Sequence, residues 1–463
     1  MASHARTLPA GHTAPRRTLF AVIVAAVSTA GGCAPRDASS AAPPNILLLI
    51  VDCLRADRVG ADDPYPRAVS TQLDTLVEDG TSFTRAFSQS SWTRPSLPTI
   101  LTGLYPSEHG LGAFLQEGEQ VSGSSLSPAA VTAAEALRAL GYATALFGQQ
   151  NQLAPKFGLD QGFDAYDHKA SKAARIHDRF LGWLDQEPKR PFFAYLHYLE
   201  LHWPYCPPPD ARGLFTAGYQ GRPLCADWRR LRDEIRSGEV VLSAAEIEGL
   251  RGQYDEELYA LDGEVGSLVE RMRERGLWDE TLVVLTSDHG EEFFEHGGMA
   301  HGTTLHDELI HVPLVVKAPR SWEATAGAKV DALVELRDLL PTFLDAAGAT
   351  RAGDAAARSL LPWIRGSGGA PRRDFVVAEL GDSIAVRTAE HKLIVDRGAS
   401  PRLYDLTQDP GETRDVAASH PDVVARLEGH LRRWRAALSP IPPGDETLDD
   451  ETVEGLRALG YLE

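Results

Sequence analysis

Four unbroken apolar runs punctuate the chain up to residue 290: PPNILLLIVD (43–52), YATALF (142–147), PFFAYLHYL (191–199) and TLVVLTSDHG (281–290). A run that is apolar at every position predicts a strand covered on both faces, as in a parallel sheet. Helical patterns alternate with these strands. Ala133 to Leu140 reads as a helix stopped by Gly141, and residues 95–102 read as another with Pro95 in its first turn. Ser243-Ala244-Ala245-Glu246 is a capping box. It opens a helix to about Arg275 whose stripe is Leu250, Tyr254, Leu258, Leu261, Val265 and Leu268. After residue 370 the texture shortens: FVVAEL, SIAVRT and HKLIVD alternate between turn residues and predict a small antiparallel sheet. A helix from Pro421 to Ala437 and a proline-rich break, SPIPPGDE, follow. The pattern predicts an α/β fold with a large, mostly parallel sheet flanked by helices over 44–370. An antiparallel sheet plus helix covers 371–440, and a tail covers 441–463.

The first 43 residues read as an address. Arg16 and Arg17 precede an apolar run, Thr18 to Ala30, too short to span a bilayer. It ends in Ala30-Gly31-Gly32-Cys33, which resembles the bacterial lipobox, with residues 34–43 as a polar tether. Either Cys33 is lipidated and holds the chain at a membrane surface, or 1–33 is an ordinary secretory signal with a chance cysteine. Both readings export the protein, to the periplasm, outer membrane or cell surface of a bacterium. Cys206 and Cys225 bracket a Pro- and Gly-rich insertion, and in an oxidising compartment they could close it or stay free. The net charge of −19 over 463 residues argues against a nucleic-acid partner.

Chemistry gathers beyond the carboxyl ends of the strands, where open α/β sheets bind ligands. Asp52 ends the first run, Asp288 and His289 end the last, and Thr93 stands ahead of the 95–102 helix. Two carboxylates, an imidazole and an alkoxide oxygen suit a divalent cation.

The stretch SSWTRPSLPTILTGLYPSEHG (90–110) resembles the nucleophile motif of the sulfatase family, within the alkaline phosphatase superfamily. The stretch LYDLTQDPGETRDVA (403–417) resembles its C-terminal subdomain. The resemblance implies an alkaline-phosphatase-like fold and one divalent ion held by Asp52, Thr93, Asp288 and His289. The nucleophile falls on Thr93, where the family has a Cys or Ser that is oxidised to formylglycine. A threonine is not expected to mature, so no formylglycine is expected. Cys53 stands where sulfatases carry a second Asp, and His289 where they often carry Asn. This moves the metal from calcium towards manganese or zinc. Cys53 itself reads as a packed thiol facing away from the metal. His202, before Trp-Pro-Tyr, resembles a residue lying over the substrate, and His301 resembles one that assists the leaving group, here as general acid. His197 reads as a core histidine. His296, His306 and His311 read as structural or exposed, and Glu291 and Glu295 as solvated.

Other fixtures differ. Leu97 and Leu104 replace motif arginines, and Gly148-Gln149-Gln150-Asn151 replaces a Lys-x-His pair. The resemblance implies a hydrolase of sulfate or phosphate esters acting on a glycan, lipid or small-molecule ester. The alternatives are a phosphoethanolamine- or phosphoglycerol-type transferase and an inert anion- or glycan-binding relative.

Overall fold

In a computed structural model, the structure describes residues 42–459 apart from 61–65, 113, 118–119, 187–190, 223–224, 226–227, 350–356 and 368–371. The expected leader, most of the tether and Cys33 lie outside the described residues. Among the described residues no helix is long and apolar enough to cross a membrane.

The central sheet contains β1 (Asn45–Val51), β2 (Thr81–Phe87), β3 (Ala143–Gly148), β4 (Ala165–Asp167), β5 (Phe192–Tyr198), β6 (Thr281–Thr286), β7 (His311–Val312), β8 (Leu314–Lys317) and β9 (Ala328–Glu335). Its order is β7-β2-β8-β6-β1-β5-β3-β4, with β9 also on β2. The neighbours from β4 to β6 run parallel, and β8 enters antiparallel between β6 and β2. The apolar runs form the parallel part, as expected. β2, β8 and β9 escaped the sequence pattern: TSFTRAF mixes polar residues in, and the first half of β9 carries the exposed polar residues Lys329 and Asp331.

β1 shows why such a strand is apolar throughout. Leu47, Leu49 and Val51 face one core, and Ile46, Leu48 and Ile50 face the other. The first core is covered by α1 (Thr71–Asp79), α4 (Ala173–Leu184) and α5 (Ala244–Glu274). The second is covered by α2 (Thr93–Thr102), α3 (Ala133–Ala139) and α6 (Leu339–Ala346). The stripe expected on α5 is buried from Leu250 to Leu268.

Helix α2 starts two residues earlier than the sequence suggested, so Thr93 is inside its first turn. The first four N–H groups of a helix have no intrahelical acceptor, so Pro95 is tolerated in third place as readily as in first. A four-stranded antiparallel sheet follows: β10 (Val376–Leu380), β11 (Ser383–Arg387), β12 (His391–Asp396) and β13 (Arg402–Asp405). One face packs on α7 (Pro421–Ala437), the other on Phe87, Leu309 and Leu333 of the main body. The strand Gly444–Thr447 then pairs with Gln120–Ser125. Cys206 and Cys225 are disulfide-bonded.

Candidate active site

The parallel register sets Asp52, at the end of β1, beside the ends of β5 and β6. The Ser287 hydroxyl accepts from the Leu54 N–H at 2.9 Å and lies 2.6 Å from the Val51 carbonyl, tying two strand ends together. The Ser88 hydroxyl donates to the Asp288 carbonyl at 2.5 Å and lies 3.1 Å from the Ser96 hydroxyl, which docks α2 onto the same edge. The Gly302 N–H donates to the Ser91 carbonyl at 2.8 Å and brings the His301 loop against the Thr93 loop.

The four residues expected to hold a metal meet, and all are fully buried. Thr93 Oγ lies 3.1 Å from His289 Nε2 and 3.5 Å from Asp52 Oδ2. His289 Nε2 lies 3.4 Å from Asp52 Oδ1 and 3.4 Å from Asp288 Oδ2. His289 Nδ1 donates to the Gly290 carbonyl at 2.8 Å. Burial depresses the pKa of this imidazole, so it is neutral and turns a lone pair towards two carboxylates. Asp288 Oδ2 has no hydrogen-bond partner among the described residues. A buried carboxylate oxygen left without a donor is what a divalent cation would satisfy. The donor set of oxygens with one imidazole fits such an ion. Burial and the charge of Asp52 push Asp288 up to about 7 in the absence of a cation. Burial would raise Asp52 too, but the hydrogen bond from His197 and the nearby imidazoles overcome it and hold Asp52 below the ordinary range.

Two expectations are corrected. Cys53 does not face away: its Sγ lies 3.1 Å from Asp52 Oδ1 and 3.5 Å from His301 Nδ1. The cause is its φ of 65°, which breaks strand alternation just after Asp52. Glu291 is not solvated but fully buried, with an oxygen 3.3 Å from His301 Nδ1, and burial pushes its carboxyl up to about 7. Glu295 is exposed, as expected, and pairs with Arg55. His197 is buried as expected, yet it is no mere packing residue. The Tyr195 hydroxyl donates to His197 Nδ1 at 2.7 Å, leaving Nε2–H to face Asp52 Oδ2 at 3.3 Å. Gln150 donates to the same oxygen at 2.7 Å. The bulk of a ring at 197 was visible in the sequence, but its aim was not. Gly148 was the available signal, since a Cβ there would stand 2.7 Å from that of His197.

His202 and His301 stand over the four residues, with ring centroids 4.8 Å apart, and the His301 ring is 4.4 Å from that of His289. His202 Nδ1 donates to the Trp203 carbonyl at 2.7 Å, and burial lowers its pKa. Both histidines line a cavity of about 510 Å³ with Trp92, Pro95 and Leu380. Among the described lining residues Arg232 is the only Lys or Arg, and it pairs with Asp233. Arg94 turns the other way, donating to the Gly112 carbonyl and stacking on Phe114 and Phe157. Of the other histidines, His296 pairs with Glu308 and stacks on His306, and His311 donates to the Thr84 carbonyl.

The family model described as "Sulfatase" matches residues 44–349, and that of the N-sulphoglucosamine sulphohydrolase C-terminal region matches 295–437. The chain is 24% identical to arylsulfatase K of Bos taurus over 84% of this chain and 81% of that one. It superposes on the phosphonate monoester hydrolase of Silicibacter pomeroyi with a TM-score of 0.69 at 22% identity, covering 85% of this chain and 95% of the other. A structure solved with its substrate D-glucosamine-2-N,6-O-disulfate gives a TM-score of 0.68 at 20% identity, covering 85% and 98%. These comparisons do not favour the transferase or inert-binder readings. With its family model spanning well over half of the residues, the chain belongs to the sulfatase family and is an ester hydrolase of that family.

Proposed function

We propose that this chain hydrolyses phosphate esters through the unmodified hydroxyl of Thr93, with a divalent cation held by Asp52, Thr93, Asp288 and His289. The observation that carries this reading is the position of Thr93 Oγ, 3.1 Å from His289 Nε2 and within the first turn of α2. When bound, the cation would stabilise the threonine alkoxide and the charge on the ester oxygens. Thr93 Oγ attacks phosphorus, and the bond to the leaving alcohol breaks as His301 delivers a proton to that oxygen. Water then attacks phosphorus, giving a proton back to His301, and the bond from phosphorus to Thr93 Oγ breaks. A formylglycine hydrate can expel its ester by collapsing to the aldehyde, whereas a threonine ester cannot. Direct attack at the central atom is therefore required, a course that suits phosphorus better than sulfur. Among the described residues the cavity offers one arginine, already paired, which suits an ester bearing a single negative charge better than a dianion.

Parallel turnover of an aryl phosphate monoester, an aryl phosphate diester and an aryl sulfate, each with manganese, zinc or calcium, tests this. Thr93→Ala is expected to abolish the activity, and wild-type rates in that variant would remove Thr93 from the mechanism.

The export reading is ours as well: lipidated Cys33 holds the mature chain at a bacterial membrane surface. The Ala30-Gly31-Gly32-Cys33 pattern supports it, and the Cys206–Cys225 disulfide suits an oxidising compartment. Mass spectrometry of the mature N-terminal peptide is the test. A diacylglyceryl group on Cys33 is expected, and an unmodified peptide beginning elsewhere would contradict it.

A further inference from the structure

Far from the histidines, a cavity of about 290 Å³ lies where β9 and the β10–β13 subdomain meet. Its wall carries Arg337, Arg358, Arg372, Arg373 and Arg433 with the acids Glu108 and Asp374. Arg373 is ion-paired with Glu335 and Asp338, and Glu108 accepts the backbone N–H groups of Tyr105 and Ser439. In a chain of net charge −19, such a concentration of guanidinium groups is a local reversal of sign.

Arg337 makes this more than a basic patch. It is 2% exposed, its Nε donates to the Gly103 carbonyl at 2.9 Å, and its guanidinium lies 4.0 Å over the Tyr105 ring. The group is thus locked in place, yet its Nη1 is buried with no hydrogen-bond partner among the described residues. A buried cationic donor left unmatched has a strong preference for an anionic acceptor. Arg358 is half-buried, and Arg433 is exposed with a contact to His430.

We infer that this cavity binds a tetrahedral oxyanion, a phosphate or sulfate group, either free or carried on a larger molecule. Arg337 Nη1 supplies the fixed donor, and Arg358, Arg372 and Arg433 supply adjustable ones. The site is separate from the catalytic one: Gly103 closes the helix that Thr93 opens, and ten residues of α-helix span roughly 15 Å.

The test is calorimetric titration of the full chain with sodium sulfate, against sodium chloride of equal ionic strength, and with a sulfated dextran oligosaccharide. The comparison is an Arg358→Glu, Arg433→Glu double variant, whose changes lie on accessible side chains. Binding of inorganic sulfate weakened at least tenfold in the variant supports a free-ion site. Weakening seen with the oligosaccharide alone supports a substituent on a larger ligand. Equal binding by wild type and variant, or no binding of either probe to wild type, overturns the inference. Unchanged aryl-ester turnover in the variant establishes that it is folded.

Discussion

The sulfur of Cys53 stands 3.1 Å from an oxygen of Asp52, on the same side as the carboxylates and the imidazole of the proposed metal site. A soft donor there, in place of a second carboxylate, favours zinc over calcium. Burial, with the charges of Glu291 and Asp52, raises the thiol pKa, so the sulfur is protonated in the metal-free protein. Cys53→Ala is expected to weaken zinc binding by about 10- to 100-fold, the range for groups beside metal ligands. Cys53→Asp is expected to shift preference towards calcium. Chelator competition measures both, and zinc affinity unchanged in Cys53→Ala would separate the thiol from the metal.

Asp52 is oriented by a chain of donors running from the Tyr195 hydroxyl through His197, with Gln150 alongside. Tyr195→Phe removes the donor to Nδ1 and leaves a buried acceptor unmatched, a loss of about 1–3 kcal/mol. The His197 tautomer is then no longer held, so metal affinity is expected to fall together with the melting temperature. Paired calorimetric and thermal measurements check this. A lowered melting temperature with unchanged metal affinity would confine Tyr195 to packing.

His109 gives the fold an acid-sensitive point beside α2. Its Nε2 donates to the Pro95 carbonyl at 3.1 Å, and its Nδ1 accepts from the Leu111 N–H at 3.1 Å. Burial lowers its pKa to about 3, against an ordinary 6.5. Between those values the unfolded chain binds a proton that the folded chain does not. Stability from this group is therefore full above 6.5 and is lost as pH falls towards 3, on the order of 3–5 kcal/mol in all. His109→Gln is expected to flatten the melting temperature between pH 6 and pH 4 relative to wild type, as read by circular dichroism. Parallel curves would contradict it.

What could be read from the chain follows from what each signal encodes. Burial on both faces makes β1, β3, β5 and β6 predominantly apolar, so they stand out, as does the capping box of α5. The meeting of Asp52, Asp288 and His289 was legible because strand ends place side chains at one edge. The mixed strands β2 and β9 carry no such mark. Cys53 was misread because alternation predicts opposite faces for neighbours, and one residue at positive φ cancels that rule. Glu291 was misread because a glutamate in a polar stretch looks solvated, whereas chain folding buries it against His301. The arginine cavity joins residues from 337 to 433, a separation no local pattern reports.

The central claim is that an ordinary threonine hydroxyl performs the attack. Brief incubation with an aryl phosphate, acid quenching and peptide mass spectrometry test it directly. The expected result is a phosphoryl group on Thr93, formed only with added divalent cation and absent from Thr93→Ala. Turnover without any modification at Thr93, or undiminished turnover in Thr93→Ala, would contradict it.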